Sequence, residues 1–93
     1  MVELYNPYIS NVDLYEVVKV GDNIKIEYNL IKETTYNIII YDMMGKIISE
    51  VSPNSTIGIN QHYIDISHYT PGNYFVTLHN SYEVHSSNIV ITN

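Results

Sequence analysis

The stretch from Tyr36 to Ile48 reads Tyr-Asn-Ile-Ile-Ile-Tyr-Asp-Met-Met-Gly-Lys-Ile-Ile, and it constrains the fold more than any other part of the chain. Its first half is rich in side chains that are stiff or bulky at χ1 and suit a pleated surface. Asp42 to Gly45 breaks the run, because Asp hydrogen-bonds backbone within a turn and Gly takes the positive φ that a tight reversal needs. Apolar residues resume with Ile47, Ile48 and Val51, so the stretch predicts a β-hairpin. Period-two alternation puts Tyr36, Ile38 and Ile40 on one face and Asn37, Ile39 and Tyr41 on the other. Ile39 on the second face predicts that the outer surface of this strand is partly covered too.

The same period runs through the rest of the chain. Leu14 to Val20 reads as a first strand, with Gly21-Asp22-Asn23 as its turn. Ile24, Ile26, Tyr28 and Leu30 then alternate strictly with Lys25, Glu27 and Asn29, the pattern of a half-buried strand. Ser52 to Asn60, with Pro53, Asn54, Ser55 and Gly58, is the longest predicted loop and the segment expected to move most. Tyr63 to Ser67 is a further strand with Ile64 and Ile66 inward and Asp65 outward. Pro71-Gly72 marks a turn, and Tyr74 to His79 follows with Tyr74, Val76 and Leu78 on one face. Ile26, Ile38, Ile40, Ile64, Val76 and Leu78 are the expected core.

The closing segment poses a parity problem. If Leu78 and Val84 face each other in the core, the connection is Asn80-Ser81-Tyr82, with a positive φ at Asn80 or Ser81. Ser86 and Asn88 would then point inward while the apolar Ile89 and Ile91 point out. A β-bulge at Ser86-Ser87 restores the phase, so a bulge is the expectation there. With seven short strands and no convincing helical period, the pattern predicts an all-β protein, an antiparallel immunoglobulin-like β-sandwich. Tyr74 stands where such sandwiches place a tyrosine corner, its hydroxyl bonded to backbone a few residues upstream.

A length of 93 residues fits one domain over 1–93, with 1–11 read as an irregular leader or linker. The core must be efficient at this size, and 45% hydrophobic residues with ten tyrosines supply it. No cysteine is present, so there is no disulfide and no thiol chemistry. Ten acidic residues against four lysines and no arginine give a formal charge of −6. Nucleic-acid binding needs a basic stripe that is missing, and anionic membrane binding is disfavoured for the same reason. No apolar run is long enough to span a bilayer, and the first residues lack the basic region and apolar core of a signal peptide.

Chemical sites find little support. His62, His68, His79 and His85 invite a metal, but only Glu83 and His85 share a face at close spacing, and no recognised ligand motif forms. Asp42 and Asp65 as a hydrolytic carboxylate pair compete with simpler roles, a hairpin turn for Asp42 and a solvated outer face for Asp65. Tyr41 and Tyr69 suit either a sugar- or protein-binding platform or cover for apolar sheet surface. No nucleophile–base pair or Gly-rich loop appears, so no enzyme activity and no cofactor or metal are expected.

Four segments together resemble a known family: Ile-Lys-Ile-Glu-Tyr-Asn-Leu at 24–30, the hairpin at 36–48, Tyr-Ile-Asp-Ile-Ser-His-Tyr-Thr-Pro-Gly-Asn-Tyr-Phe-Val-Thr-Leu at 63–78, and Asn-Ile-Val-Ile-Thr at 88–92. In order and spacing they look like the C-terminal sorting domains of the bacterial type IX secretion system. The immunoglobulin-like module of flagellar hook-capping proteins is a related sandwich. The resemblance implies a non-catalytic domain that follows a covalently linked passenger into the periplasm. There the outer-membrane secretion machinery recognises it for export and surface display, commonly with removal by a cysteine-protease transpeptidase. It implies that Asp42, Gly45, Lys46, Gly72 and Tyr74 shape the signal, and that Asn88, Ile89, Val90, Ile91 and Thr92 carry it. The chain departs from the family in three places. Only Asn6-Pro7 remains of an opening Pro-Asn-Pro, Pro71-Gly72 is one residue shorter than Pro-x-Gly, and Ser87-Asn88 replace a basic residue before the last apolar triplet. A surface-exposed immunoglobulin-like binding or adhesion module, appended to a secreted enzyme, is the alternative function.

Overall fold

The computed structural model describes residues 12–92, so the leader expected at 1–11 lies outside the described residues. Seven strands follow in order: β1 (Val12–Val20), β2 (Asn23–Leu30), β3 (Asn37–Asp42), β4 (Ile47–Val51), β5 (Gly58–Asp65), β6 (Gly72–His79) and β7 (Val84–Ile91). They form a three-stranded sheet, β1-β2-β5, and a four-stranded sheet, β4-β3-β6-β7. Every pairing is antiparallel. The result is the expected immunoglobulin-like β-sandwich.

The core lies where the alternation put it. Ile24, Ile26, Tyr28 and Leu30 of β2 are at most 1% exposed, and Ile38, Ile40, Val76 and Leu78 meet them from the other sheet at 0%. Tyr36, Ile66, Tyr74 and Ile91 complete the same cluster. Ile39, on the opposite face of β3, is 6% exposed, so that face is covered as its sequence predicted. The β1–β2 connection is a two-residue turn, since Val20 pairs with Asn23. Gly21 sits at φ 59° while Asp22 keeps negative φ, which is the demand a II′ turn makes on its first central residue.

Three expectations need correction. β5 starts at Gly58 rather than Tyr63, because Asn60 closes the preceding loop: its side chain accepts from Thr56 N (3.0 Å) and donates to the carbonyls of Thr56 (2.7 Å) and Gly58 (3.0 Å). Asn60 is itself buried, a polar residue on an inward position that hid the strand from a hydrophobic count. Ile64 is only partly buried, since β5 is an edge strand and one flank of its side chain lacks a neighbour.

The third correction concerns β7. The β6–β7 ladder runs unbroken from His79↔Val84 to Gly72↔Ile91, with no bulge at Ser86-Ser87. The connection has four residues, Asn80 to Glu83, not three, and no non-glycine residue among those described takes positive φ. Asn80 makes the longer loop: its Oδ1 accepts from Tyr82 N (2.8 Å) and Glu83 N (3.1 Å), and its own N–H donates to Glu83 O (3.0 Å). Val84 therefore points outward, 65% exposed, and Ile89 and Ile91 pack inward without any phase shift. The inward places taken from Val84's parity belong to His85 and Ser87. His85 bonds Glu83 there, and its ring lies 5.7 Å from that of Tyr15.

Candidate recognition surface

The β3–β4 turn is built by one carboxylate. Asp42 Oδ1 accepts from Met44 N and Lys46 N, both at 2.9 Å, and the Asp42 carbonyl accepts from Gly45 N at 3.1 Å. Gly45 takes φ 84°, a region that costs a side-chain-bearing residue roughly 1–2 kcal/mol. The turn holds Met43 and Met44 in solvent, the latter 93% exposed.

At the same end, Tyr74 donates its hydroxyl to Thr70 O at 2.6 Å, the tyrosine-corner bond its position predicted. The Tyr69 ring packs tilted against it at 5.2 Å. Asn73 Nδ2 reaches Met43 Sδ at 3.7 Å, so the start of β6 meets the hairpin tip, and with Thr70 and Pro71 of the β5–β6 loop they line a shallow groove of about 220 Å³. β7 closes this end as well. Asp42 pairs with Tyr74, Tyr74 with Ile89, and Gly72 with Ile91, one continuous set across three strands. Asn88 Nδ2 adds a bond to Tyr74 O at 3.2 Å. Residues far apart in sequence (Asp42, Gly45 and Lys46; Gly72 and Tyr74; Asn88 to Thr92) thus share one end of one sheet. Of the terminal set, Ile91 is core and Ile89 partly so, while Val90 is exposed and Thr92 lies beyond the strand.

The two outer faces differ in charge. On the three-stranded sheet Glu16, Lys25 and Glu27 lie among Leu14, Val18, Ile59 and Tyr63, and Glu27 accepts from Gln61 at 2.7 Å and lies 3.7 Å from Lys25 Nζ. On the four-stranded sheet Tyr41, Phe75, Thr77, Val84, Ser86, Asn88 and Val90 share the outer face, and Asp42 and Glu50 are the only acidic or lysine residues in its strands.

A family model described as a secretion system C-terminal sorting domain matches residues 20–92. The chain belongs to the type IX secretion sorting domains. No curated protein sequence matches it. Sorting domains as a family are non-catalytic, act as signals for type IX secretion, engage the secretion machinery and mark secreted or cell-surface proteins. No helix among the described residues of this sorting domain is long and apolar enough to cross a membrane.

The sorting domain also contains polar contacts that the alternation did not announce. Tyr15 crosses from β1 to donate its hydroxyl to Val76 O at 2.7 Å, and burial pushes that phenol up to about 12, a bond to Ser87 opposing the rise. Tyr36 donates to Glu83 at 2.7 Å, and His85 Nε2 lies 3.0 Å from the same oxygen. Burial first, then the Glu83 carboxylate, raises the Tyr36 phenol. Tyr28 bonds Ser55 at 2.6 Å and lies 3.4 Å from His62 Nε2, and burial holds His62 below its ordinary value. The alternation put Tyr28 and Tyr36 on inward faces and left Tyr15 unassigned, and it does not say where any of their hydroxyls go. Asp65 stays exposed and accepts from Ser67 N at 2.8 Å, so with Asp42 committed to its turn the two carboxylates serve separate local structures. Among the described residues no group of three His, Cys, Asp or Glu side chains is placed to hold a metal ion.

Proposed function

We propose that residues 1–93 act as one non-catalytic sorting domain that routes a covalently linked passenger from the periplasm across the outer membrane to the cell surface. In this proposal the end of the four-stranded sheet is what the outer-membrane machinery recognises. Asp42, Gly45, Lys46, Gly72 and Tyr74 give that end its shape, and Asn88 to Thr92 present the signal. The observation that carries the proposal is the family match over residues 20–92. The gathering of these residues on Asp42↔Tyr74↔Ile89 supports it, because one rigid surface then displays segments that are separate in sequence.

The test is a fusion. A reporter bearing a signal peptide, followed by residues 1–93, is expressed in a bacterium that has type IX secretion. The reporter is expected outside the cell. Retention of a stably folded fusion in the periplasm overturns sorting and favours a binding or adhesion module.

A further inference from the structure

Exposed strand edges pair readily with other chains, and folded proteins normally protect them with charge, short length, proline or a bulge. Three of the four edges here are protected. β1 carries Asp13, Glu16 and Lys19 and a register shift between Val12 and Leu14. β4 has only 5 residues, includes Glu50 and follows a register shift at Ile40/Tyr41. β5 is bounded by Gly58, at φ 103°, and by Asp65. β7 has none of these devices: 8 residues, Val-His-Ser-Ser-Asn-Ile-Val-Ile, in an unbroken ladder without acidic residue, lysine, proline or glycine.

The direction of its backbone groups follows from one bond. Asn80 N donates to Glu83 O at 3.0 Å, so that pair is hydrogen-bonded. Bonded and non-bonded pairs alternate along an antiparallel ladder. His79↔Val84, Thr77↔Ser86, Phe75↔Asn88 and Asn73↔Val90 are therefore the non-bonded pairs. Val84, Ser86, Asn88 and Val90 aim N–H and C=O away from β6, at an edge to which no further strand is paired among the described residues, β1 of the other sheet packing near β7 through Tyr15. Contacts on both faces hold this edge in place: on the inner face the Tyr15 ring lies 5.7 Å from His85, and from the outer face Asn88 Nδ2 bonds Tyr74 O at 3.2 Å.

We infer that the β7 edge is a docking site for an extended, uncharged strand of the secretion machinery, which adds to the four-stranded sheet by backbone pairing. This rests on the sorting function proposed above and names how that surface is read. The area argues for this occupant over a second copy of the chain. An eight-residue edge is about 27 Å long and one sheet about 10 Å thick, so strand addition buries on the order of 540 Å² in total. A stable complex needs about 1,000 Å² or more. The contact therefore suits a transient hand-over and falls short of a lasting dimer. Backbone reading also tolerates the Ser87-Asn88 pair, since it needs no particular side chain there.

The test is the reporter fusion with two substitutions. Ser86→Pro removes one edge-directed N–H and sets a ring in the path of an incoming strand, while keeping the bonds to β6. Ser86→Ala keeps the N–H. Export is expected to fall at least about fivefold with Ser86→Pro, the factor that one lost hydrogen bond is worth, and to stay at the wild-type level with Ser86→Ala. Should Ser86→Pro lower the melting midpoint, Val84→Pro replaces it, because proline is tolerated at the first residue of a strand. A folded proline variant exported at the wild-type level overturns the proposal. Unfolding by both prolines overturns it too, since those N–H groups would then point into the sheet. A wild-type dimer in sedimentation that Ser86→Pro abolishes assigns the edge to a second copy and overturns it likewise. Failure of the unsubstituted fusion to export is a separate result, and counts against sorting itself.

Discussion

The three-stranded and four-stranded sheets present inner faces of one kind, runs of Ile, Val, Leu and Tyr at or near zero exposure. Their outer faces part company. Both expose large apolar side chains, Leu14, Val18, Ile59 and Tyr63 on one and Phe75, Val84 and Val90 on the other. The three-stranded sheet interleaves them with Glu16, Lys25 and Glu27, whereas the strands of the four-stranded sheet put Glu50 alone on the outer face, opposite Ile39 on the edge strand β4. Apolar exposure alone is ordinary on a folded surface; an apolar face with its charge confined to one edge is less so. The difference teaches that charge is spread among the apolar residues of one outer face and confined to one edge of the other.

If the inner faces are equivalent, they should be equally costly to damage. Ile26→Ala in β2 and Ile40→Ala in β3 remove side chains that are both 0% exposed, one from each sheet. Each is expected to cost about 2–5 kcal/mol in denaturant unfolding. A large loss for one and a loss below about 1 kcal/mol for the other would mean that the two sheets do not share one core.

Tyr15 ties the sheets together and gives the next largest effect. Burial raises its phenol to about 12 from the ordinary 10.0, so the folded state keeps a proton that the unfolded state gives up. The unfolded chain then binds fewer protons above pH 10, and stability must fall as pH rises. The contribution is complete below pH 10 and lost by about pH 12, on the order of 2 kcal/mol for this one group. Tyr28, Tyr36 and Tyr69 are raised in the same direction, so the measurement is a difference. Unfolding free energies of wild type and Tyr15→Phe, followed from pH 9 to 12, should converge as pH rises. Parallel curves would show that Tyr15 is not held protonated between the sheets.

The outline of this fold was legible because most strands obey a single period. Ile24 to Leu30 and Tyr36 to Tyr41 declare both faces without ambiguity, and Asp42 with Gly45 declares the turn by its chemistry. What was hidden lay where polar residues take inward places. Asn60 masked the first half of β5 by closing a loop with its own side chain. His85 and Ser87 masked the phase of β7, because counting from Val84 treated the nearest valine as core. The proposed recognition surface was legible only as separate motifs. That Asp42, Tyr74 and Ile89 stand side by side follows from the β3-β6-β7 order, which no local pattern encodes.

The facing of β7 also yields the smallest expected effect. Val84 is 65% exposed on the outer face of the four-stranded sheet, while Ile91, at the far end of the same strand, is 3% exposed on the inner face. Val84→Thr keeps the β-branch, and with it the strand preference, and exchanges a methyl for a hydroxyl that solvent can satisfy. It should shift the unfolding free energy by no more than about 0.5 kcal/mol. The same exchange at an inward position buries a hydroxyl without a partner and costs about 1–3 kcal/mol. Ile91→Val removes a single methyl group, a gentler change in chemical terms, yet it should cost about 0.5–1.5 kcal/mol because its surroundings are packed. Denaturant unfolding of the two variants side by side therefore ranks exposure against the size of the change. Should Val84→Thr prove the more costly, Val84 faces the core, the ladder from His79↔Val84 is misassigned, and the outer face of the four-stranded sheet loses one of its apolar members.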